Sequence, residues 1–512
     1  MVRGYPELSI AAFYGDEAPM AALATPPGES ALALIRCSGP GSVALLSAVF
    51  SRPAKLCAAP GNTLVHGWIR NPPPLQGLID EVLVAVYRAP KSYTGEEGAD
   101  ISCHGGAAAA KAVMAALRAA GFRESLPGEF SFRAFMNGKL DLTRSESVME
   151  LVRAKTERGR EHAAARLAGR LGEEIAALKG ALVEALAEAE LHLDYDEGEF
   201  EAPGTEGPSA SWPGASSPGA NLPGRPRVEA ALERLRALAG TWGRERLYQE
   251  GALAVIAGRP NAGKSSLFNA LLGEDRSIVT DIPGTTRDWI EALVAIEGIP
   301  LRLADTAGLR EDSGSGDRIE RLGIERSLEL LDRADLVLYV IDGAQGLQAA
   351  DEAFLRAGGA QGGAGGEARG GAGGAQGGAG RPFILVWNKA DLAPPPGPES
   401  FPAPFPRPLP VSAKTGAGLA ELCRAMAGAL EGPHPLSEGP GGPGLGSGRQ
   451  KELVDRSCAA LEEALALADR GEELELIAPC LREAVNALGE ITGEVSTADI
   501  LETIFSKFCV GK

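Results

Sequence analysis

The residues best placed to do chemistry stand in the run Gly258-Arg259-Pro260-Asn261-Ala262-Gly263-Lys264-Ser265, which has the spacing of a phosphate-binding loop. Glycines there let backbone N–H groups turn inward around a β-phosphate, and the amino end of a following helix adds partial positive charge. Lys264 has the reach to meet β/γ oxygens and to assist their transfer. Ser265 offers a hydroxyl to Mg2+, with Ser266 opening the helix behind it. Farther on, Asp305-Thr306-Ala307-Gly308 closes an apolar run. Asp305 is placed to hold the Mg2+ shell through water, and the amide of Gly308 to sense a γ-phosphate. Asn388-Lys389-Ala390-Asp391 and Ser412-Ala413-Lys414 complete the set. A carboxylate at Asp391 accepts from both N1–H and the 2-amino group of guanine. Adenine offers neither donor and would leave that carboxylate unpaired, so the expected nucleotide is GTP rather than ATP.

Between the loop and the Asp305 motif lies Gly284-Thr285-Thr286-Arg287-Asp288, where a mobile switch belongs. Thr286 is the candidate second Mg2+ ligand, and the plainer alternative is a threonine that caps the next turn. The residue after Gly308 is Leu309, where many GTPases use glutamine to orient water. Leucine cannot hydrogen-bond water, so that task falls to another group. Glu311, Asp312, Asp317 and Glu320 are acidic candidates, and composition does not choose among them.

Such loops need strands and helices behind them. Apolar runs at 253–257, 301–304, 336–342, 383–387 and 409–412 read as strands alternating with helices, an α/β layout over 246–432. A Gly/Ala-rich tract at 358–380 reads as a surface loop within it. Residues 18–138 mix strands at 31–35 and 81–87 with a helix at 107–120, the pattern of a compact α+β domain. Residues 139–245 are helical, with 173–190 a long amphipathic helix. The Gly/Pro/Ser tract 202–226 reads as a disordered insertion. A linker at 433–449 precedes helices at 450–469, 476–489 and 497–508. The two helical stretches, 139–245 and 450–512, are expected to build one domain, with the α/β unit inserted through neighbouring termini.

Composition narrows the function classes. A chain of 512 residues with 44% apolar content supports several cores. Its net charge of −18 argues against non-specific coating of nucleic acid, which needs concentrated Lys and Arg. Seven cysteines with no CxxC pair argue against a disulfide framework or thiolate zinc site, and for a reducing, cytoplasmic setting. No apolar run is long enough to span a membrane, and residues 1–17 read as an N-terminal extension without a secretory pattern.

Further motifs lie outside the α/β unit: Ala24-Thr25-Pro26-Pro27-Gly28, Ile35-Arg36-Cys37-Ser38-Gly39, Ser92-Tyr93-Thr94-Gly95-Glu96, Cys103-His104-Gly105-Gly106 and Pro127-Gly128-Glu129-Phe130. The run from Arg133 to Leu142 and the tail Phe505-Ser506-Lys507-Phe508-Cys509-Val510-Gly511-Lys512 join them. With these, the chain resembles the MnmE/TrmE family of tRNA modification GTPases, within the TrmE-Era-EngA-YihA-Septin-like group, from about residue 18 to 512 apart from the low-complexity insertions. The resemblance implies a multidomain α+β and α/β architecture. It comprises an N-terminal tetrahydrofolate-binding-like domain that dimerises, a helical domain and an inserted Ras-like P-loop domain. It also implies a folate, 5,10-methylenetetrahydrofolate or 5-formyltetrahydrofolate, contacted by Arg36, Glu96, Lys139 and Lys512. Residue types alone would leave Arg36 and Lys139 as solvated surface charges.

The same resemblance supplies a K+ site from Asn261, the carbonyls of Thr280 and Ile282, and a contribution from Thr285. It makes Glu320 the water-orienting acid, although the segment around 313–315 is a few residues longer than the family pattern. Cys509 matches a tail cysteine linked to modification, against the alternative of a small semi-buried side chain. The implied partners are a second copy, a tRNA, and an FAD-dependent MnmG/GidA-type subunit in a heterotetramer or larger complex, with no membrane. The implied reaction couples GTP hydrolysis to installing an aminomethyl or carboxymethylaminomethyl group at C5 of wobble uridine 34. The competing reading is a regulatory or assembly switch with no direct part in that chemistry.

Overall fold

The computed structural model describes residues 17–72, 77–194, 222–276, 291–305, 330–356, 382–397, 407–432 and 444–511. The chain divides into two compact units. One comprises Met1–Met149, Arg166–Ala239 and Gly448–Lys512, the other Glu150–Ala165 and Gly240–Ser447. The expected tracts 202–221, 358–380 and most of the linker at 433–449 lie outside the described residues, as do residues 1–16.

The first unit opens with strands β1 (Met20–Leu23), β2 (Ser30–Ser38), β3 (Thr63–Arg70), β4 (Leu78–Tyr87), β5 (Gly98–Gly105) and β6 (Arg123–Glu124), ordered β3-β4-β5-β2-β1-β6. Every neighbouring pair is antiparallel except β1 with β6. Alternation along β4 turns Asp80, Val82, Val84 and Val86 inward. Helices α1 (Ser42–Ala48) and α2 (Pro53–Ala58) follow β2, α3 (Ala107–Ala120) follows β5, and α4 (Glu129–Met136) follows β6. Val43, Leu46, Leu56, Val113 and Leu117 close over the inward residues to form one core. The outward residues of the same strands include Leu32, Leu64 and Leu83, which are 63%, 68% and 46% exposed. The strands expected at 31–35 and 81–87 fall inside β2 and β4, and the helix at 107–120 coincides with α3. β1, β3 and β5 escape a reading by periodicity, because β1 is four residues long and the other two carry His and Gly among their apolar positions.

Helices α5 (Leu142–Arg153), α6 (Glu157–Leu167), α7 (Arg170–Asp194) and α8 (Arg225–Glu250) follow. α8 begins inside the tract expected to be disordered to 226, because Leu222 and Val228 are buried and draw that end into the fold. Residues 150–165 belong to the second unit, where His162 Nδ1 lies 2.6 Å from Glu245 Oε1 and Arg158 donates to the Tyr248 hydroxyl at 3.2 Å. The Tyr248 hydroxyl donates in turn to Glu431 at 2.7 Å, and burial beside that carboxylate pushes its pKa up to about 12.

The second unit is built on β7 (Ala252–Gly258), β8 (Glu291–Ile296), β9 (Ile299–Asp305), β10 (Leu336–Asp342), β11 (Phe383–Asn388) and β12 (Leu409–Pro410), ordered β12-β11-β10-β7-β9-β8. Only β8 runs antiparallel to its neighbour. β10 is buried along its whole length, as a central parallel strand covered on both faces must be. Helices α9 (Lys264–Arg276) and α11 (Leu419–Glu431) supply Leu267, Leu271, Leu422 and Met426 to one core, and Leu355, just past α10 (Ala349–Phe354), joins Tyr339 and Trp387 in the other. β12 is shorter than the expected 409–412. Val411 still donates to Trp387 O at 2.8 Å, but Ser412 N–H bonds back to Ala417 O at 2.9 Å and turns the chain out of the ladder.

The chain then returns to the first unit as α12 (Gly448–Asp469), α13 (Leu474–Thr492) and α14 (Ala498–Phe505). α13 packs against both α12 and α7. The contributing residues include Leu171, Ile175 and Leu182 of α7 at helical spacing, with Leu481 and Leu488 of α13. Phe505 is fully buried, edge-on to Phe132 with ring centroids 5.5 Å apart, in a cluster with Leu142 and Phe508. Phe505→Ala is expected to destabilise this unit by about 3–5 kcal/mol through lost transfer energy and the cavity left behind. A urea unfolding midpoint that stays at the wild-type value would show that the cluster bears no such load.

Candidate nucleotide site

The phosphate-type loop joins β7 to α9, the strand-to-helix context its chemistry requires. Two glycines set its path. Gly258 has φ +144°, and a Cβ there would press into Val340 O of β10. Gly263 has φ +88°, and a Cβ there would press into Asn388 Nδ2. Asn261 adopts a left-handed φ of 62° without being glycine, a conformation that needs surrounding support. Lys264 is buried, and its Nζ donates to Arg259 O at 2.9 Å, spanning the loop. Ser265 Oγ donates to Asp305 Oδ2 at 2.7 Å, which joins the loop to the end of β9. Ser266 is exposed on the first turn of α9.

The motifs beginning at Asn388 and Ser412 converge on this loop. Asn388, 2% exposed, donates through Nδ2 to Ala262 O at 2.9 Å and accepts the Ala413 N–H on Oδ1 at 3.1 Å. Lys389, also at a left-handed φ of 62°, donates to Asn261 O at 3.0 Å. Asp391 is exposed, and its Oδ1 accepts the Ser412 hydroxyl at 2.7 Å, which orients the carboxylate while leaving it open to a base. Lys414 is exposed beside them. Thus Asn261, Ala262, Gly263, Lys264, Ser265 and Asp305 meet Asn388, Lys389, Asp391, Ser412 and Ala413 in one hydrogen-bonded assembly. Thr280, Ile282, Thr285, Thr286, Thr306, Ala307, Gly308 and Glu320 lie outside the described residues.

Two participants carry no assignment from the motifs. Asp342, buried at the end of β10, accepts Lys389 Nζ at 2.7 Å and the Ala344 N–H at 3.0 Å. An acid ending an otherwise apolar strand was its only mark in the sequence. Asp351, fully buried, pairs with Arg259 of the loop at 2.9 Å and accepts the Tyr339 hydroxyl at 2.9 Å. Burial, reinforced by that carboxylate, pushes the Tyr339 hydroxyl well above its usual range and keeps it a donor. Locally Asp351 only closes a capping box, accepting the Gln348 N–H at 3.0 Å at the start of α10, while its other two partners are 92 and 12 residues away.

In the first unit, Arg36 is not a solvated surface charge, as residue type alone suggests. Its Nε donates to Asp100 at 3.3 Å, its Nη1 donates to Gly511 O at 3.3 Å, and its guanidinium lies over the Tyr93 and Phe130 rings. Glu96 accepts Ser38 Oγ at 2.7 Å and Arg133 Nη1 at 3.1 Å. Lys139 remains exposed, with Nζ donating to Pro90 O at 3.2 Å. Lys512 lies outside the described residues. Cys509 is exposed rather than semi-buried, because Phe508 takes the inward position at that turn. All seven cysteines are free. Among the described residues no helix is long and apolar enough to cross a membrane, and no group of three or more His, Cys, Asp or Glu side chains is placed to hold a metal.

The family model described as the MnmE helical domain matches residues 142–509, and that described as the GTP-binding protein TrmE N-terminus matches residues 19–139. The tRNA modification GTPase MnmE of Treponema denticola is 39% identical over 504 residues, covering 96% of this chain and 98% of its own length. The protein of the same name from Carboxydothermus hydrogenoformans is 37% identical over 504 residues, covering 97% and 100%. That of Heliobacterium modesticaldum is 38% identical over 502 residues, covering 96% and 99%. A phosphate loop tied to a guanine-type base wall, in a chain matched nearly end to end, makes this a GTPase that belongs to the MnmE family of tRNA modification GTPases.

Proposed function

We propose that this chain hydrolyses GTP in a K+-dependent manner to drive, with an FAD-dependent MnmG/GidA-type partner, the addition of an aminomethyl or carboxymethylaminomethyl group to C5 of wobble uridine 34 in tRNA. A folate carrier supplies the carbon. The observation that carries the nucleotide part is the bond from Asn388 to Ala262 O, which ties base selection to the phosphate loop. Lys264 meets the phosphate oxygens and offsets charge that develops during transfer. Ser265 and Asp305 bring two hard oxygens together, a donor set that suits Mg2+ completed by water and phosphate. Bound there, Mg2+ supplies charge neutralisation on the β/γ oxygens.

Asn261 is the described member of the proposed K+ set, with Thr280, Ile282 and Thr285 completing it and Glu320 orienting the attacking water. Arg36, held by Asp100 and stacked on two rings, supports a role for it in folate binding with Glu96, Lys139 and Lys512. The outward Leu32, Leu64 and Leu83 support a homodimer through that sheet face.

The test is the GTP hydrolysis rate in K+ and in Na+. K+ is expected to accelerate turnover by about a hundredfold, the lower range for adding one transition-state charge stabiliser. Asn261→Ala should erase the difference between the salts, and Glu320→Ala should slow both. Equal rates in the two salts with wild-type protein would rule the K+ mechanism out. Mass analysis of wobble uridine from cells lacking the chain separates modification from switching, since intact modification would favour the regulatory reading.

A further inference from the structure

We propose that Asp351 is a positioning residue for GTP hydrolysis: through the Arg259 side chain it fixes the backbone carbonyl from which Lys264 is aimed at the β/γ oxygens. This rests on the reading of Lys264 as the lysine that meets the nucleotide phosphates.

A lysine carries its three N–H donors on a flexible stem, so its direction is set by whatever holds one of them. Lys264 Nζ donates to Arg259 O at 2.9 Å. The same carbonyl accepts the Ala262 N–H at 3.3 Å, so it closes the turn of the loop as well as seating the lysine. Arg259 lies just past the end of β7, outside any strand ladder or helix, and its place depends on what its side chain grips.

That side chain grips Asp351. Arg259 Nε lies 3.0 and 2.9 Å from the two carboxylate oxygens, and Nη1 donates to Gln345 Oε1 at 3.4 Å. Asp351 is fully buried on the first turn of α10 and is itself held from two more directions. The Tyr339 hydroxyl donates to Oδ1 at 2.9 Å and the Gln348 N–H to Oδ2 at 3.0 Å. The Tyr339 ring is fixed in turn by stacking on Phe354, with centroids 4.5 Å apart. A buried ion pair adds little stability over apolar residues of the same shape, because desolvation offsets the attraction. What this one supplies is a fixed geometry, delivered to the backbone atom that seats the lysine. Misplacement by about 1 Å at a reacting centre costs up to about a hundredfold in rate.

Binding of GTP, GDP and GMP to the full chain, by competition against a fluorescent nucleotide, tests the proposal. GMP lacks the β/γ oxygens that Lys264 meets. Asp351→Asn should weaken GTP and GDP by about tenfold or more and lower kcat by about tenfold to a hundredfold, with GMP affinity within about twofold of wild type. Adding Arg259→Met to Asp351→Asn leaves no unpaired ion buried, so the thermal midpoint should return close to wild type while the GTP and GDP defect persists. Tyr339→Phe keeps the stacked ring and removes one bond to the carboxylate. It should give the same pattern at about twofold to fivefold.

Equal weakening of GMP and GDP would overturn the proposal, since a merely loosened unit lowers all three nucleotides alike. So would GDP affinity that recovers with the thermal midpoint in the double variant, or unchanged GTP and GDP affinity in all three variants. Lys264→Ala separates this proposal from the reading beneath it. Wild-type GTP and GDP affinity in Lys264→Ala would bring both down, whereas weakening there without weakening in the Asp351 variants would bring down the positioning role alone.

Discussion

Asp391→Asn is expected to lower GTP affinity by roughly two to four powers of ten. The carboxylate is exposed and held in orientation by the Ser412 hydroxyl at 2.7 Å, so it stands ready to accept two donors from one base edge. Each charge-assisted hydrogen bond is worth about 1.5–3 kcal/mol, and a carboxamide both loses the charge and turns an N–H toward a base donor. The reversal has a second consequence. A xanthine base carries a carbonyl where guanine carries its 2-amino group, so the new amide finds an acceptor there. Xanthosine triphosphate should therefore bind the variant more tightly than GTP does, inverting the wild-type order. Fluorescent-nucleotide titration of both proteins measures this. Retention of wild-type GTP affinity would remove Asp391 from the base site and with it the physical case for guanine selection.

Gly263→Ala should be nearly as damaging although it adds one methyl group. At φ +88° a side chain costs about 1–2 kcal/mol. The new Cβ would also displace Asn388 Nδ2 from Ala262 O, to which it bonds at 2.9 Å. Asn388 is 2% exposed, so moving its amide aside leaves buried polar groups unpaired, at about 1–3 kcal/mol. The same movement loosens Ala413, whose N–H bonds to Asn388 Oδ1 at 3.1 Å. The expected outcome is a loss of GTP affinity of about a hundredfold or more and a lower unfolding midpoint for the second unit. Gly428→Ala is the control, because it lies in α11 and its Cβ would meet nothing within 4 Å. That change should leave binding intact and stability unchanged or slightly raised. Normal GTP binding by Gly263→Ala would mean that the loop does not depend on the Asn388 link.

The same contrast separates what was legible in the sequence from what was not. The core strands of the second unit were legible because β7, β10 and β11 are uninterrupted apolar runs, each ending in a polar residue of the site or at its loop. The long helices were legible because Leu171, Ile175 and Leu182 recur at helical spacing with no proline between them. By contrast β1, β3 and β5 draw their definition from partners across the sheet rather than from their own pattern. Arg36 shows the limit most clearly. Its side chain looks solvated in isolation, but it is shielded by Tyr93 and Phe130 and bonded to Gly511, 475 residues away.

By itself, the order of residues determined the loop chemistry, the choice of guanine and the alternation of elements, because each depends on side-chain type and short-range spacing. Only the tertiary structure decided that Asp342 and Asp351 brace the loop and that Cys509 faces outward. The physical reason is that hydrogen-bond satisfaction and burial are set by whichever atoms arrive from distant parts of the chain, and no local pattern encodes their arrival.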